Sequence, residues 1–386
     1  MRIMVECSGS RSVVGLAAAA SPMLNMETLR QKHRFSKVTT TRRGGGSGLP
    51  VGDDGGGEEE GVVVILGATG TGKSKLSIDI GKSFPVEVIN SDKMQVYDGY
   101  DITTNKMTVA ERRGVLHHLL GELENDVELS PLGFRSLASR RIAAIQSRKR
   151  LPVVAGGSNS YVHALMAKKY DAENANIAGD GGLNYRSCLL WVDVGWEALV
   201  MQLDRRVDDM VAMGMVEELA VNFNRSRAEQ GIYKGIEKAI GVPEFDKFFL
   251  NHSPNTWLTT GNCTKKMKKE YKSAVEEIKL NTRVLARNQV AKIECLISAA
   301  GWNIRRLDAT EVVRKRINGV QKKEVEMEWE RTVLRPAMAD VGNFVRRGSN
   351  GGASSVGSEF WSSNYALSAM KQAAGGGGSG VAHQKF

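Results

Sequence analysis

The run Gly67-Ala68-Thr69-Gly70-Thr71-Gly72-Lys73-Ser74 constrains this chain more than any other part of it. It fits the pattern G-x-x-x-x-G-K-[ST] and follows Val62-Val63-Val64-Ile65-Leu66, an apolar, mostly β-branched stretch that reads as a strand buried on both faces. A helical pattern begins at about Lys73. A strand, a glycine-rich turn and a helix in that order are the setting in which this spacing means a phosphate-binding loop. Its glycines let backbone N–H groups curl around phosphate oxygens, and the helix N-terminus adds the positive end of its dipole. Lys73 supplies a point charge, and the Ser74 hydroxyl is placed to ligate Mg²⁺. Gly67, Ala68, Thr69, Gly70, Thr71, Gly72, Lys73 and Ser74 are therefore candidate diphosphate-binding residues, with Ser74 the candidate metal ligand. The motif specifies a diphosphate and leaves the reaction open.

Further strands are predicted at Val86–Ile89, Leu151–Ala155, Leu189–Val194 and around Gly301–Asp308, with helical patterns between them such as Phe134–Ser147 and Glu197–Phe223. Strands alternating with helices predict an α/β fold, a parallel sheet of the P-loop NTPase type flanked by helices. The core is expected over 62–221. From 222 to 263 the strands stop, which predicts a smaller helical insertion. A long helix from about Thr264 to Ala300, with Met267, Tyr271, Ala274 and Ile278 on one face, and a last short strand complete the core over 264–310. Residues 336–386 turn to Gly and Ser and are expected to be unstructured.

Charge matters by location. The net charge is +10, but residues 1–50 hold Glu6 and Glu27 alone against Arg2, Arg11, Arg30, Lys32, Arg34, Lys37, Arg42 and Arg43. Residues 1 to about 43, basic and rich in Ser, Thr and Ala, have the make-up of an organelle transit peptide, which predicts a plastid protein. A secretory segment around Val13–Ala20 and a cytoplasmic extension are the alternatives. A Gly-rich linker follows to residue 61. The remaining bias is mild and suits anionic small substrates as well as RNA. No run of some 18 apolar residues occurs, so no membrane span is expected. Cys7, Cys188, Cys263 and Cys295 form no CxxC, which argues against a zinc site or a disulfide framework.

Two more turns sit at strand ends. Asn90-Ser91-Asp92-Lys93-Met94-Gln95-Val96-Tyr97 follows the second strand, in the position where open α/β sheets hold ligands. Asp92, beside a bound diphosphate, can hold Mg²⁺ or take a proton, and the spacing does not choose between them. Gly156-Gly157-Ser158-Asn159-Ser160-Tyr161 follows the third strand, and its small residues allow close backbone approach. Asp193, also at a strand end, reads as a structural residue.

Together these segments resemble the plant adenylate isopentenyltransferases. The likeness lies in GATGTGKS…INSDKMQVYDGYDITTNKMT, in HHLLGE at His117–Glu122, VVAGGSNSY at Val153–Tyr161, and WVDV at Trp191–Val194. It continues in GMVEEL at Gly214–Leu219, AIGVPEFD at Ala239–Asp246, Asn281-Thr282 and GWNIRRLDAT. It covers roughly residues 61 to 310, in order. The resemblance implies that the glycine loop holds the diphosphate of dimethylallyl diphosphate, with Mg²⁺ as cofactor. It implies that Asp92 takes a proton from the adenine 6-amino group of AMP, ADP or ATP, and that Lys73 stabilises the departing pyrophosphate. It places Thr104, Asn105 and Lys106 near the adenine, Gly157 and Ser158 against the ligand, and Lys238 on a diphosphate. A monomer without a stable nucleic-acid partner is expected.

The sequence departs from the family pattern in Gly235-Ile236-Glu237-Lys238-Ala239, where plant members usually carry arginine in place of Glu237. An acid beside a diphosphate would repel it, so Glu237→Arg is expected to raise activity. Leu116 replaces a usual proline. Lys265, Lys266, Lys268, Lys269 and Lys272 are either a solvated helix face or reach toward an acceptor's outer phosphates. The related tRNA-modifying enzymes carry SDSMQVY-like and GGT-type motifs and, in eukaryotes, often a C-terminal zinc finger; no cysteine follows Cys295 here. A degenerate nucleotide-binding member and a small-molecule P-loop kinase are the other readings.

Overall fold

The computed structural model describes residues 61–172, 182–254 and 264–349. The transit-like segment, the linker through residue 60 and the tail from 350 lie outside the described residues. Strand β1 (Gly61–Leu66) leads through the glycine loop into helix α1 (Lys73–Gly81), and β2 (Val86–Asn90) follows. A two-residue strand β3 (His117–His118) precedes α2 (Pro131–Gln146), β4 (Leu151–Ala155) and α3 (Asn159–Met166). Next come β5 (Arg186–Asp193), α4 (Trp196–Ala212) and α5 (Met215–Val221). The pattern over 197–223 is thus two helices, divided at Gly214, whose φ of 99° suits glycine.

The insertion holds α6 (Arg225–Gln230), a 3₁₀ turn (Gly235–Lys238) and α7 (Val242–Asn251). Then α8 (Lys265–Ser298) runs 34 residues from its cap, where the Thr264 hydroxyl accepts from the Met267 N–H at 3.1 Å. Strand β6 (Ile304–Asp308) and helices α9 (Thr310–Ile317), α10 (Lys322–Trp329) and α11 (Arg335–Ser349) close the chain.

The six strands lie in the order β3-β2-β4-β1-β5-β6, and every pair is parallel. Val62 to Leu66 are fully buried in the middle of this sheet. Each such side chain contributes about 1.5–3 kcal/mol relative to exposure. Two apolar clusters cover the two faces. One packs α2, α3 and the helices of the insertion against the sheet through Phe134, Tyr161, Phe245 and Ile278. The other packs α1, the start of α4 and the C-terminal helices through Leu76, Leu199, Trp329 and Val341. Because all strands run the same way, the turns after β1, β2 and β4 emerge at one edge, with Ile65 and Asn90 both in register with Ala155.

One expected boundary changes. The fold continues past residue 310, and residues 336–349, assigned to an unstructured tail, form most of α11 against β1 and β5. Trp329, Val333, Ala337 and Val341 recur every four residues and are buried, a helical stripe that the Gly and Ser of the last residues had obscured. A π-helical turn at Glu330–Leu334 opens the hydrogen-bond ladder just ahead of Pro336, which has no N–H to give.

Candidate active site

Where the three turns meet, a cavity of about 320 Å³ opens. Thr69 represents the glycine loop, Asp92, Lys93 and Met94 the turn after β2, and Gly157 to Ser160 the turn after β4. Thr103 and Thr104 come from the following loop, Arg206, Val207 and Met210 from α4, and Lys238 to Ile240 from the insertion. Helix α8 supplies a wall from Ile278 to Lys292.

The glycine loop takes the shape its composition requires. Gly67, Gly70 and Gly72 have φ values of 149°, 80° and 106°, all poorly tolerated by other residues. Lys73 is 8% exposed, and its Nζ donates to the Ala68 carbonyl at 2.7 Å, closing the loop upon itself. Burial lowers its pKa to about 8; the Asp92 carboxylate pulls it upward and Arg206 pushes it further down. The Trp329 ring braces the loop from behind: a Cβ on Gly72 would stand 2.9 Å from that ring, and Trp329 Nε1 donates to Asp79 at 2.9 Å.

Asp92 is fixed by its own turn. Its Oδ1 accepts from the Met94 N–H at 3.0 Å and more weakly from Gln95 N–H at 3.4 Å. Its Oδ2 faces the Gly157 side, 3.5 Å from where a Cβ on that glycine would lie. A Cβ on Gly156 would come within 2.3 Å of the Ser91 carbonyl carbon, so the two glycines are what let these turns touch.

The other predicted residues divide. Thr104 lines the cavity and is tied to the Tyr100 carbonyl at 2.8 Å. Asn105 and Lys106 do not line it. Asn105 has a positive φ of 49° and its carbonyl accepts from Gln95 Nε2, while Lys106 is turned toward the Gly99 carbonyl and Asp101. The local hydrogen bonds of a tight turn engage both, and Thr103 takes their place at the cavity. Lys238 does line the cavity, but its Nζ is paired with Glu128 at 2.6 Å. Ser74 is exposed at the start of α1.

Glu237 does not line the cavity: its carboxylate reaches back to the Lys234 N–H at 3.2 Å. The expected repulsion of a diphosphate therefore has no geometric basis. Lys265, Lys266, Lys268, Lys269 and Lys272 are exposed, and the cavity meets α8 only from Ile278 onward. At 1.5 Å per residue, Lys265 is about 20 Å short of that wall. Asp193 binds Arg306 at 2.8 Å and fastens β5 to β6, as a structural residue.

Several residues that shape the site were given no role from the sequence. Arg206 is half-buried at the cavity beside Lys73 and Asp92 and makes no hydrogen bond or ion pair to a described residue. Burial lowers its pKa and Asp92 raises it. The signal was available: Arg206 falls on the apolar stripe Leu199, Leu203, Val207 and Met210 of α4, where a charge has no structural use. Gln289, 8% exposed, had no such signal. Glu218 accepts from the Ile102 and Thr103 N–H groups at 3.0 and 2.7 Å, and so holds the loop carrying Thr103 and Thr104. Asn281 reaches Glu244 at 2.6 Å and ties α8 to the insertion.

Among the described residues no group of three or more His, Cys, Asp or Glu side chains is placed to hold a metal ion. Mg²⁺ keeps most of its water and phosphate ligands, so an ion carried by a diphosphate does not require such a group. Among the described residues no helix is long and apolar enough to cross a membrane.

The sequence model of the family described as IPP transferase matches residues 95–177 and 167–292. The adenylate isopentenyltransferase of Humulus lupulus is 43% identical over 294 residues, covering 73% of this chain and 89% of its own. The Arabidopsis thaliana protein named adenylate isopentenyltransferase 1, chloroplastic, is 44% identical over 284 residues, covering 72% of this chain and 79% of its own. The crystal structure of a eukaryotic dimethylallyltransferase acting on tRNA superposes with a TM-score of 0.57 at 24% identity, covering 79% of this chain and 85% of that one. That likeness is one of fold.

Proposed function

The chain belongs to the adenylate isopentenyltransferase family, and on that premise we propose how its cavity performs prenyl transfer. The enzyme transfers the dimethylallyl group of dimethylallyl diphosphate to the 6-amino group of adenine in a free nucleotide, the first step of cytokinin formation. The observation that carries the mechanism is that Asp92 and Arg206 line one cavity, with the buried Lys73 ammonium close enough behind them to feel both charges.

The amine of adenine is a weak nucleophile because its lone pair is delocalised into the ring. Asp92, held through Oδ1 and open at Oδ2, accepts a proton from that amine and aims the lone pair at the allylic carbon. The N–C1 bond forms as the C1–O bond to the diphosphate breaks. Charge gathers on the leaving pyrophosphate, where the loop N–H groups, Lys73 and Arg206 receive it. Mg²⁺, held by Ser74 and the diphosphate itself, would supply further charge neutralisation there. Lys93 and Lys292 stand at the same cavity and give the acceptor's phosphates positive partners, while Lys238 beside them is neutralised by Glu128.

The test is direct. Purified full-length protein is incubated with dimethylallyl diphosphate, Mg²⁺ and, separately, AMP, ADP, ATP and tRNA, and the products are identified by mass. A prenylated free nucleotide is the expected product; prenylation of tRNA alone would replace this reading with the RNA-modifying one. A plastid address is part of the same proposal. It is supported by the basic, hydroxyl-rich first 43 residues and by the chloroplastic name of the Arabidopsis relative. A fluorescent fusion of the whole chain that stayed in the cytoplasm would overturn it.

A further inference from the structure

Gln289 lies on α8, 220 residues from the glycine loop, yet its side chain bridges the two turns that enclose the cavity. Its Oε1 accepts from the Thr69 N–H at 2.8 Å, and its Nε2 donates to the Gly157 carbonyl at 2.9 Å. Its own carbonyl accepts from Asn159 Nδ2 at 2.7 Å. One buried residue thus fastens the donor's loop to the turn that touches Asp92. The fit is close: a Cβ on Gly157 would stand 2.5 Å from Gln289 Nε2. Ser158 N–H in turn donates to the Ser91 carbonyl at 3.0 Å, so the linkage runs from Thr69 through Gln289 and Gly157 to the backbone beside Asp92.

From this we infer that Gln289 is a positioning residue that sets the distance between the allylic carbon of the donor and the amine oriented by Asp92. The inference rests on the prenyl-transfer reading. Transfer has a competing reaction at the same carbon. When the C1–O bond breaks and the amine is out of line, water forms the new bond to C1. Its proton passes to solvent, and dimethylallyl alcohol and pyrophosphate leave. Alignment of the reacting atoms to within about an ångström decides between the two, and a misplacement of that size costs on the order of 10²-fold. An amide suits the task because it offers one acceptor and one donor from a single planar group.

The experiment measures the partition of donor between prenylated nucleotide and dimethylallyl alcohol in wild type, Gln289→Met, Gln289→Glu and Gln289→Ala. A partition is a ratio of products, so a smaller folded fraction does not change it. Met keeps the volume and removes both hydrogen bonds. Glu keeps the acceptor for Thr69 and removes the donor to Gly157. The expected result is a share of alcohol raised about tenfold or more in Met and Ala, with kcat for transfer falling further than the KM for donor rises. Glu is expected to show the raised share together with a raised KM for donor, because its charge faces a diphosphate. An unchanged partition in all three variants overturns the inference, whether or not their melting temperatures fall, since a purely structural brace would lower the amount of active enzyme and leave its products alike. If wild type makes no prenylated nucleotide, the failure belongs to the proposed function instead.

Discussion

The two halves of the cavity are built in different ways. The donor half is mostly local: eight consecutive residues, a strand behind them and a helix ahead of them make the anion cradle, and Arg206 reaches the cavity from α4. The acceptor half is assembled from the turns after β2 and β4, the Thr103–Thr104 loop, the insertion and α8, segments nearly 200 residues apart in the chain. The difference teaches where each kind of function comes from. Phosphate binding needs only backbone N–H groups and a charge, which a short motif can carry. Orienting a weak nucleophile needs a carboxylate at a fixed distance from that cradle, and only tertiary structure provides it.

If the halves are distinct, removing Asp92 should hurt chemistry most. Asp92→Ala is expected to lower kcat for transfer by about 10²–10⁴-fold, the range for a positioned base. Steady-state turnover within a few-fold of wild type would take Asp92 out of the reaction. Arg206→Ala should instead raise the KM for dimethylallyl diphosphate and lower kcat/KM about 10–100-fold, as expected for one charged hydrogen bond. Arg206→Lys should recover only part, because a single ammonium replaces a planar fork.

The buried lysine sharpens the comparison through pH. The free enzyme holds Lys73 near a pKa of about 8, so below that pH it is charged and ready for an anion. As pH rises through that value, donor binding must first take up a proton. Affinity should then fall by up to about tenfold per pH unit. Lys73→Arg, which stays protonated, should flatten this fall in a titration between pH 7 and 9. A pH-independent affinity in wild type would show that the Lys73 charge is not what the donor meets.

The smallest effects are expected where the structure disagrees with the sequence reading. Glu237→Arg should change kcat/KM by less than about twofold, because Glu237 caps its own turn away from the cavity. The quadruple change of Lys265, Lys266, Lys268 and Lys269 to Ala should leave the KM values for AMP and ATP alike untouched. A rise confined to ATP would bring that helix end back to the acceptor.

What was legible in the sequence follows the same division. The strands Val62–Leu66, Val86–Ile89 and Leu151–Ala155 are short, mostly apolar runs bounded by turns, and the parallel order of the sheet followed from the helices between them. The glycine loop and Asp92 were legible because each sits at a strand end with a recognisable turn. The two-residue strand β3 carried no period to detect. Asn105 and Lys106 were misplaced because adjacency to Thr104 in sequence is not adjacency in a tight turn. Gln289 was invisible for a physical reason: its partners are the backbone groups of Thr69 and Gly157, and backbone groups leave no trace in side-chain pattern. The C-terminal helix was hidden by the composition of the residues after it, although Val333, Ala337 and Val341 keep helical spacing.

Equilibrium binding of dimethylallyl diphosphate in the absence of any acceptor tests the division of the cavity most directly, measured calorimetrically with wild type, Asp92→Asn and Arg206→Ala. The account predicts that Asp92→Asn binds the donor as tightly as wild type or more tightly, since a negative charge is lost beside a diphosphate. It predicts that Arg206→Ala binds about 10-fold or more weakly. Donor affinity lost equally in both variants would contradict it, because Asp92 would then belong to the donor site and the two halves would be one.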